Sequence, residues 1–370
     1  MYKILYCEKD TTLYSQFPAK NVGTDQILEL SKLTAGTPSL ENDDTVFYAD
    51  TYNSRILIKF DLTDVSRSIS LGKIDQSSAQ YYLTLSAASS IELPVSYTIY
   101  AYPISGSWTN GSGFYNSTPS ISNGASWTNR AVSNSWLTSS FNTNSTGSLT
   151  GGGNWFTSSF ASQSFNYELP DLRMDVTNIV NGWITGSFPN DGFVLKLSDA
   201  VESDSSIFGN VQFFSKDSQT VYLPKLEIYW NSSDLSGTGS FSEIDSDDFV
   251  LDAKNLRETY STQEKPKVRF HVRKRFPIQT YATSSVYLES KRLPTGSYFQ
   301  IQDVVTDEII VPFNDVGTKV NCDTNGNYIQ IDCSSIMPER YYKLVVKSLF
   351  DGGDTIRTID GGHIFRIRRN

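Results

Sequence analysis

The chain has 370 residues, 38% of them hydrophobic and 13% aromatic, enough for two domains with a core each. Its 21 Tyr and 21 Phe fit the half-buried pleat of a sheet, and long Leu/Ala/Glu/Lys helical stretches are missing. A net charge of −9 argues against a general nucleic-acid binder, and two His leave little imidazole for catalysis or metal binding.

The opening MYKILYCEKD has neither the basic n-region nor the apolar h-region of a signal peptide. No run approaches the roughly 18 apolar residues of a membrane span, so no membrane insertion is expected. Three cysteines, Cys7, Cys322 and Cys333, are too few and too odd in number for a disulfide framework. With Asn325-Gly326 as a turn, Cys322 falls opposite Ile329 and not Cys333. Free thiols are expected, and with them synthesis and assembly in a reducing cytoplasm.

In chain order, Ile56, Ile58, Phe60 and Leu62 alternate onto one face of a strand. Tyr81, Leu83 and Leu85 do the same, as do Tyr97, Ile99 and Ala101. From Pro94 to Tyr167 the only charged side chain is Arg130. Trp108, Phe114, Trp127, Trp136, Phe141, Trp155, Phe156 and Phe160 interrupt this Ser/Asn/Thr/Gly-rich region. That density predicts ordered loops packed on a sheet, with mobility reserved for 142–154. Val176, Ile179, Val180 and Trp183 then trace one helical face, with Asp175 as N-cap and Gly186 as stop. This single short helix is expected to plug one end of the core or cover an edge. Leu226, Ile228 and Trp230 close the first domain.

A polar, acidic stretch follows Trp230 and reads as a linker or strap over 233–262. Basic residues number 13 against 21 acidic up to Trp230, and 18 against 19 after it, so the first domain carries nearly all the net charge. Beyond the strap, alternation recurs at Val268/Phe270/Val272, Val286/Leu288, Phe299/Ile301, Ile309/Val311, Ile329/Ile331, Tyr342/Leu344/Val346 and Phe365/Ile367. Turn signals lie between these runs at Pro294–Gly296, Asn325-Gly326 and Asp351–Gly353. About seven short strands at this spacing predict an immunoglobulin-like sandwich. The expected fold class is therefore all-β: a jelly-roll-like β-sandwich with one short helix over 1–232, and an immunoglobulin-like β-sandwich over 263–370.

The first domain resembles the DNRLRE family, disaggregatase-related modules linked to an alginate-binding carbohydrate-module family. The landmarks come in order: Asp10–Leu13 (DTTL), Asn21–Asp25 (NVGTD), Ser54–Leu62 (SRILIKFDL) and Tyr102–Ile104. GSWTNGSG from Gly106, GASWTNR from Gly124, Asp175–Trp183 (DVTNIVNGW), Pro189–Gly192 before GFVLKL, and LPKLEIYW from Leu223 follow. The loop region is longer and poorer in charge than recognition of an acidic sugar would want. The second domain is similar, more loosely, to C-terminal modules of virion structural proteins of contractile-tailed phages, through Val311–Lys347 and the closing GHIFRIRRN. What these resemblances imply is a non-enzymatic virion component, assembled in the host cytoplasm. It would lie in a tail, neck or baseplate, against other virion proteins and copies of itself. The alternative is a carbohydrate-binding module for host-glycan adsorption.

The side chains that carry chemistry are few, and no cofactor is implied. His271 and His363 lack the partners a catalytic site requires, and no G-x-S-x-G or H-E-x-x-H occurs. Trp108, Trp127, Trp136 and Trp155 are either a sugar-stacking platform or the pins that hold the long loops to the core. Asp43, Asp44 and Asp61, with 49–54, offer hard oxygens for Ca²⁺ without EF-hand spacing, and exposed turn carboxylates are the plainer reading. Lys267, Arg269, Arg273 and Arg275, with Arg366 and Arg368 of the tail, form either a solvated strand face or a docking edge for an acidic partner.

Overall fold

A computed structural model describes residues 1–41, 44–136, 151–166, 169–231, 241–276 and 290–369; over 35–41 and 44–50 only the backbone is described. Strands dominate, as the alternation predicts, and the chain is all-β with little helix.

The first strands are β1 (Tyr2–Tyr6), β2 (Lys9–Tyr14), β3 (Ile27–Glu41), β4 (Asp44–Lys59), β5 (Gln80–Leu85), β6 (Ala87–Ile91) and β7 (Ser96–Pro103). After β7 come β8 (Asn129–Ala131), β9 (Asn134–Ser135), β10 (Ala161–Asn166), β11 (Leu172–Asp175), β12 (Phe193–Lys196), β13 (Gly209–Phe214) and β14 (Lys225–Tyr229). Interspersed are α1 (Thr63–Ser70), α2 (Thr177–Ile184) and α3 (Asp199–Ser203). One sheet has the order β1-β14-β5-β11; the other runs β10-β7-β12-β4-β3-β13-β6, with β2 also paired to β4.

Compact units divide the chain at slightly different places from the sequence reading. One comprises 5–66 and 80–227; the other comprises 1–4, 67–79 and 228–370. The expected single helix is corrected to three among the described residues. α1 and α3 lie on polar sequence, and each buries one residue, Val65 and Glu202, where α2 buries three.

In the sandwich of 5–66 and 80–227, one face of the larger sheet is the core expected from alternation. Phe193 pairs with Ile58 and Leu195 with Ile56, so Ile56, Ile58, Phe193 and Leu195 share it, all fully buried. Helix α2 turns Ile179, Val180 and Trp183 inward, and the Trp183 ring meets Phe193 edge-on at 4.6 Å between centroids. The expected cap, Asp175, sits one position ahead of the observed one: Val176 is the N-cap residue, and Asp175 still accepts the Thr177 N–H at 2.9 Å. The opposite face of β4 is not solvated either. Leu57 is as buried as its neighbours Ile56 and Ile58, because the loops between β7 and β10 cover it.

The second set of strands is β15 (Phe249–Ala253), β16 (Thr259–Ser261), β17 (Lys267–Lys274), β18 (Ser297–Asp303), β19 (Ile309–Val311), β20 (Asn321–Asp323), β21 (Gly326–Gln330), β22 (Arg340–Phe350) and β23 (Thr355–Arg368). They make two sheets, β15-β17-β21-β20 and β16-β23-β22-β18-β19. Val268, Phe270 and Val272 from the first, and Tyr342, Leu344 and Val346 from the second, are buried. The linker read over 233–262 is shorter than expected, since β15 and β16 are strands of this sandwich. The run Val286/Leu288 lies outside the described residues. Cys322 pairs with Asn327 and not with Ile329, because the hairpin turns one residue earlier, at Thr324-Asn325, which moves each cross-strand partner by two. All three cysteines are free thiols.

Gly192 ends the Pro-Asn-Asp-Gly turn at φ +99°, where a Cβ would strike the Ile58 carbonyl oxygen and press on Lys59 Cβ at 3.0 Å. Gly192→Ala is expected to destabilise the sandwich by about 2–4 kcal/mol, through strain and a displaced β4–β12 pair. Its urea midpoint should fall accordingly; an unchanged midpoint would mean that the turn relaxes without cost.

Candidate functional site

The charge-poor loops converge on the face of β4 and β12 that alternation leaves for solvent. Leu13, Leu57, Ile104, Trp108, Trp127, Trp136, Trp155 and Val194 form one apolar cluster there. The four tryptophans are 2–5% exposed. No indole therefore presents a stacking face, and the sugar platform expected from Trp108, Trp127, Trp136 and Trp155 is corrected to a set of interior pins. Their polar ends are used inward as well. Trp108 Nε1 donates to the Asp191 carbonyl at 2.8 Å, and Trp136 Nε1 to the Ser126 carbonyl at 2.9 Å. Phe114 and Phe160, also expected as anchors, are exposed instead.

Two polar knots hold these loops. The first is Asn21, wholly buried. Its Nδ2 donates to the carbonyls of Asn110 and Ala125, both at 2.8 Å, and its Oδ1 accepts from Gly113 N at 3.0 Å and Gly23 N at 3.3 Å. One amide thus ties NVGTD to both Trp loops. Gly23, Gly111, Gly113 and Gly124 approach so closely that a Cβ at any of them would meet this knot. The glycines of GSWTNGSG and GASW are explained by that close approach.

The second knot is ionic. Arg55 projects from β4 into the cluster and is 1% exposed. Its Nε and Nη2 donate to Glu202 Oε1 at 3.1 Å and Oε2 at 2.6 Å. Its Nη1 donates to the carbonyls of Gly151 at 3.2 Å and Gly152 at 2.9 Å. The guanidinium lies 4.7 Å from the Trp127 ring centroid and 5.0 Å from that of Trp155. Lys196 adds a second cation, 3.2 Å from Glu202 Oε2 and 2.5 Å from Asp199 Oδ1. Burying such charges costs several kcal/mol per ion unless every donor finds an acceptor, and here carboxylates, carbonyls and ring faces share that work. The left-handed glycines at 151–153 let the loop backbone reach the arginine. A Cβ at Gly152 would collide with both Arg55 and Trp127. The described end of the stretch expected to be mobile is thereby fixed; 141–150, with Phe141, lie outside the described residues.

Sequence reasoning missed Arg55, Lys196 and Glu202. The available signal was the alternation itself. In SRILIKF and GFVLKL a cation shares a face with Leu57 or Val194, an odd company for a solvated residue.

Asp10 of β2 is buried on the core side and accepts the Lys216 N–H at 2.8 Å. Burial pushes its carboxyl up to about 7, with Lys216 pulling the other way. Burial, and next the Asp10 charge, likewise raise the neighbouring Cys7 thiol. Asp61 accepts the Thr63 hydroxyl at 2.6 Å and the Thr63 N–H at 2.9 Å as α1 begins, and these bonds lower its carboxyl below the ordinary value. Asp43 and the Asp44 side chain lie outside the described residues. No group of three metal-ligating side chains occurs among the described residues.

Of the two readings of the basic run, the structure describes the strand itself. β17 lies between β15 and β21, so it is an interior strand without a free edge. Its cations are largely matched within the domain. Arg269 grips Asp323 with bonds of 2.7 and 2.9 Å, and Lys267 lies 4.2 Å above the Tyr328 ring. Arg273 donates to the Lys274 carbonyl, Arg275 pairs with Asp248 at 2.7 Å and Arg366 with Glu339 at 2.6 Å. Arg368 is exposed. His271 is held below the usual imidazole range by burial, then by Lys254 and Arg273; His363 faces the Phe270 ring.

Removing one partner of the Arg55–Glu202 pair leaves a buried charge, so Arg55→Met or Glu202→Gln should cost about 3–5 kcal/mol. Tryptophan emission should shift to the red as Trp127 and Trp155 lose their cover; unchanged emission would detach the knot from loop order. Asp10 gives a pH signature. Its folded value of about 7 exceeds the ordinary carboxylate value of 3.8, so the folded chain binds the extra proton between these limits. Stability from this group is present near pH 4 and is lost as pH rises through 7. Asp10→Asn should flatten that segment of the denaturation profile, and an unaltered slope would assign it elsewhere.

No protein-family model matches the chain, and no curated protein matches it in sequence. No helix among the described residues is long and apolar enough to cross a membrane.

Proposed function

We propose that the chain is a non-enzymatic structural protein that works by assembling with copies of itself and with other proteins, as a tail, neck or baseplate component of a tailed-phage virion. The observation that carries the structural part is the burial of Trp108, Trp127, Trp136 and Trp155. In the binding-module reading these rings would lie open on one face; here they and Arg55 are spent on fixing the loops. The virion part rests on the residues Val311–Lys347 and GHIFRIRRN that resemble C-terminal modules of phage virion proteins.

Two features supply the means of assembly. β3 and β4 remain paired from Leu33–Tyr52 out to Glu41–Asp44, whereas β13 leaves β3 at Lys32 and β2 leaves β4 at Ser54. Beyond those points the hairpin is a two-stranded arm among the described residues. Such ribbons are marginal in water alone and gain from lying against another surface. In the second sandwich, β16 covers β23 only at Arg366–Arg368. The outer edge from Thr355 to His363 is open among the described residues, and open edges accept a further strand.

Light scattering after size exclusion tests the proposal. The intact chain should form a defined oligomer. Replacing 35–50 by Asn-Gly, which joins Thr34 to Thr51 through a tight turn, should yield monomer with the melting temperature kept. A chain that stays monomeric at every concentration, alone and with its candidate neighbours, would sink the assembly reading.

A further inference from the structure

A cavity of about 1050 Å³ opens within the unit made of 1–4, 67–79 and 228–370, at the upper end of the roughly 300–1,000 Å³ of small-molecule sites. Its wall carries four lysines, Lys3, Lys73, Lys265 and Lys319, against two carboxylates, Asp75 and Asp332. In a chain of net charge −9 that is a local reversal of sign. The backbone fixes where these cations stand. Lys3 alternates on β1 with buried Tyr2 and Ile4, and so takes the other face. Lys73 follows the end of α1: its N–H donates to the Ser68 carbonyl and the Gly72 N–H to the Ile69 carbonyl, both at 2.9 Å. Gly72 supplies the φ of +67° that this helix ending requires. Trp230 Nε1 then donates to the Lys73 carbonyl at 3.1 Å, and the next residue, Ile74, is buried. Lys319 follows Thr318, which is buried and exchanges bonds of 2.7 and 2.9 Å with Asn314.

The two carboxylates are committed elsewhere. Asp332 is buried and accepts Lys265 Nζ at 2.6 Å, the Ser334 hydroxyl at 2.6 Å and the Ser334 N–H at 3.1 Å. Asp75 caps the short helical turn Gln76–Ser78, accepting the Ser77 hydroxyl at 2.7 Å and the Ser77 N–H at 3.0 Å. Among the described residues Lys3, Lys73 and Lys319 have no ion pair. Like charges around one space repel, and an anion placed among them relieves that repulsion. The wall also says which anion. Trp230 and Phe299 line it but are 6% and 2% exposed, so they offer no face on which a ring could stack. No arginine lines it among the described residues, so the fork that matches a carboxylate's paired oxygens is missing. Ammonium groups are point charges that meet phosphate oxygens from any side. Three of them, brought from separate stretches of chain, suit a ligand that carries several charges along its length.

We propose that the cavity walled by Lys3, Lys73 and Lys319 binds a short chain of phosphates, a ligand with several charges and no ring. This site is separate from the four tryptophans and does not rest on assembly through the β3–β4 arm.

The test is isothermal titration calorimetry of the intact chain with inorganic tripolyphosphate, and with citrate, ATP and a peptide of alternating Asp and Glu as comparisons. Tripolyphosphate should bind saturably, one per chain, more tightly than citrate or the peptide and at least as tightly as ATP. Its affinity should fall as sodium chloride is raised. Lys73→Gln and Lys319→Gln should each weaken binding about two- to fivefold, the size of one exposed charge pair. Both side chains are exposed, so the melting temperature should hold, and Lys73→Arg should keep the affinity. Lys343→Gln is the control: that lysine pairs with Asp307 and lies outside the cavity, so binding should not change. Absence of saturable heat, or citrate binding as tightly, would overturn the proposal. Tighter binding of ATP would mean that a ring is recognised, and tighter binding of the peptide that the cavity docks an acidic protein segment. Equal losses in Lys343→Gln and the cavity variants would reduce the effect to diffuse surface charge, which overturns it too.

Discussion

Everything in the loop-bearing sandwich depends on a buried cation with nowhere to go. Arg55 stands on a central strand, under two indoles, with a carboxylate from α3 and two glycine carbonyls as its acceptors. Desolvating a guanidinium is tolerable only when its donors are nearly all met, so the ion is stable only while the loop at 151–153, α3 and β4 hold their places together. That makes the network a register device. It specifies where a charge-poor loop must lie, which apolar burial without direction does not do. Asn21 plays the same part without charge, tying backbone that has no secondary structure of its own to satisfy it.

The fold was legible where one face met a core and the other met solvent. Ile56/Ile58/Phe60 and Val268/Phe270/Val272 gave their strands away by alternation, and Val176/Ile179/Val180/Trp183 gave α2 away by its stripe. What escaped notice was polar. α3 has five residues, and α1, as long as α2, buries only Val65; Asp61, which accepts the Thr63 N–H, and Ser198, the cap of α3, are residues equally at home in turns. β15 and β16 hide in an acidic stretch because edge strands are short and carry charge on purpose.

The site was legible only as an ambiguity. Tryptophans in a Ser/Gly/Asn loop suit a platform or a pin equally well, and what decides is whether something beneath them needs covering. That something is Arg55 and Lys196, which in a linear reading look like ordinary outward residues of amphipathic strands. The same limit applied to β17. Its cations read as a free basic stripe because Asp323, Asp248 and Asp245 are distant in sequence and adjacent only through the sheet.

Once the indoles are assigned to the interior, the division of labour over this face follows from charge and rigidity. The ion pairs lie at its centre, where they are dry, and Phe160 stays exposed just before β10. The buried arginine thus sets the loops before any partner is met, whereas in the proposed assembly a two-stranded ribbon such as the β3–β4 arm would gain from lying against another surface.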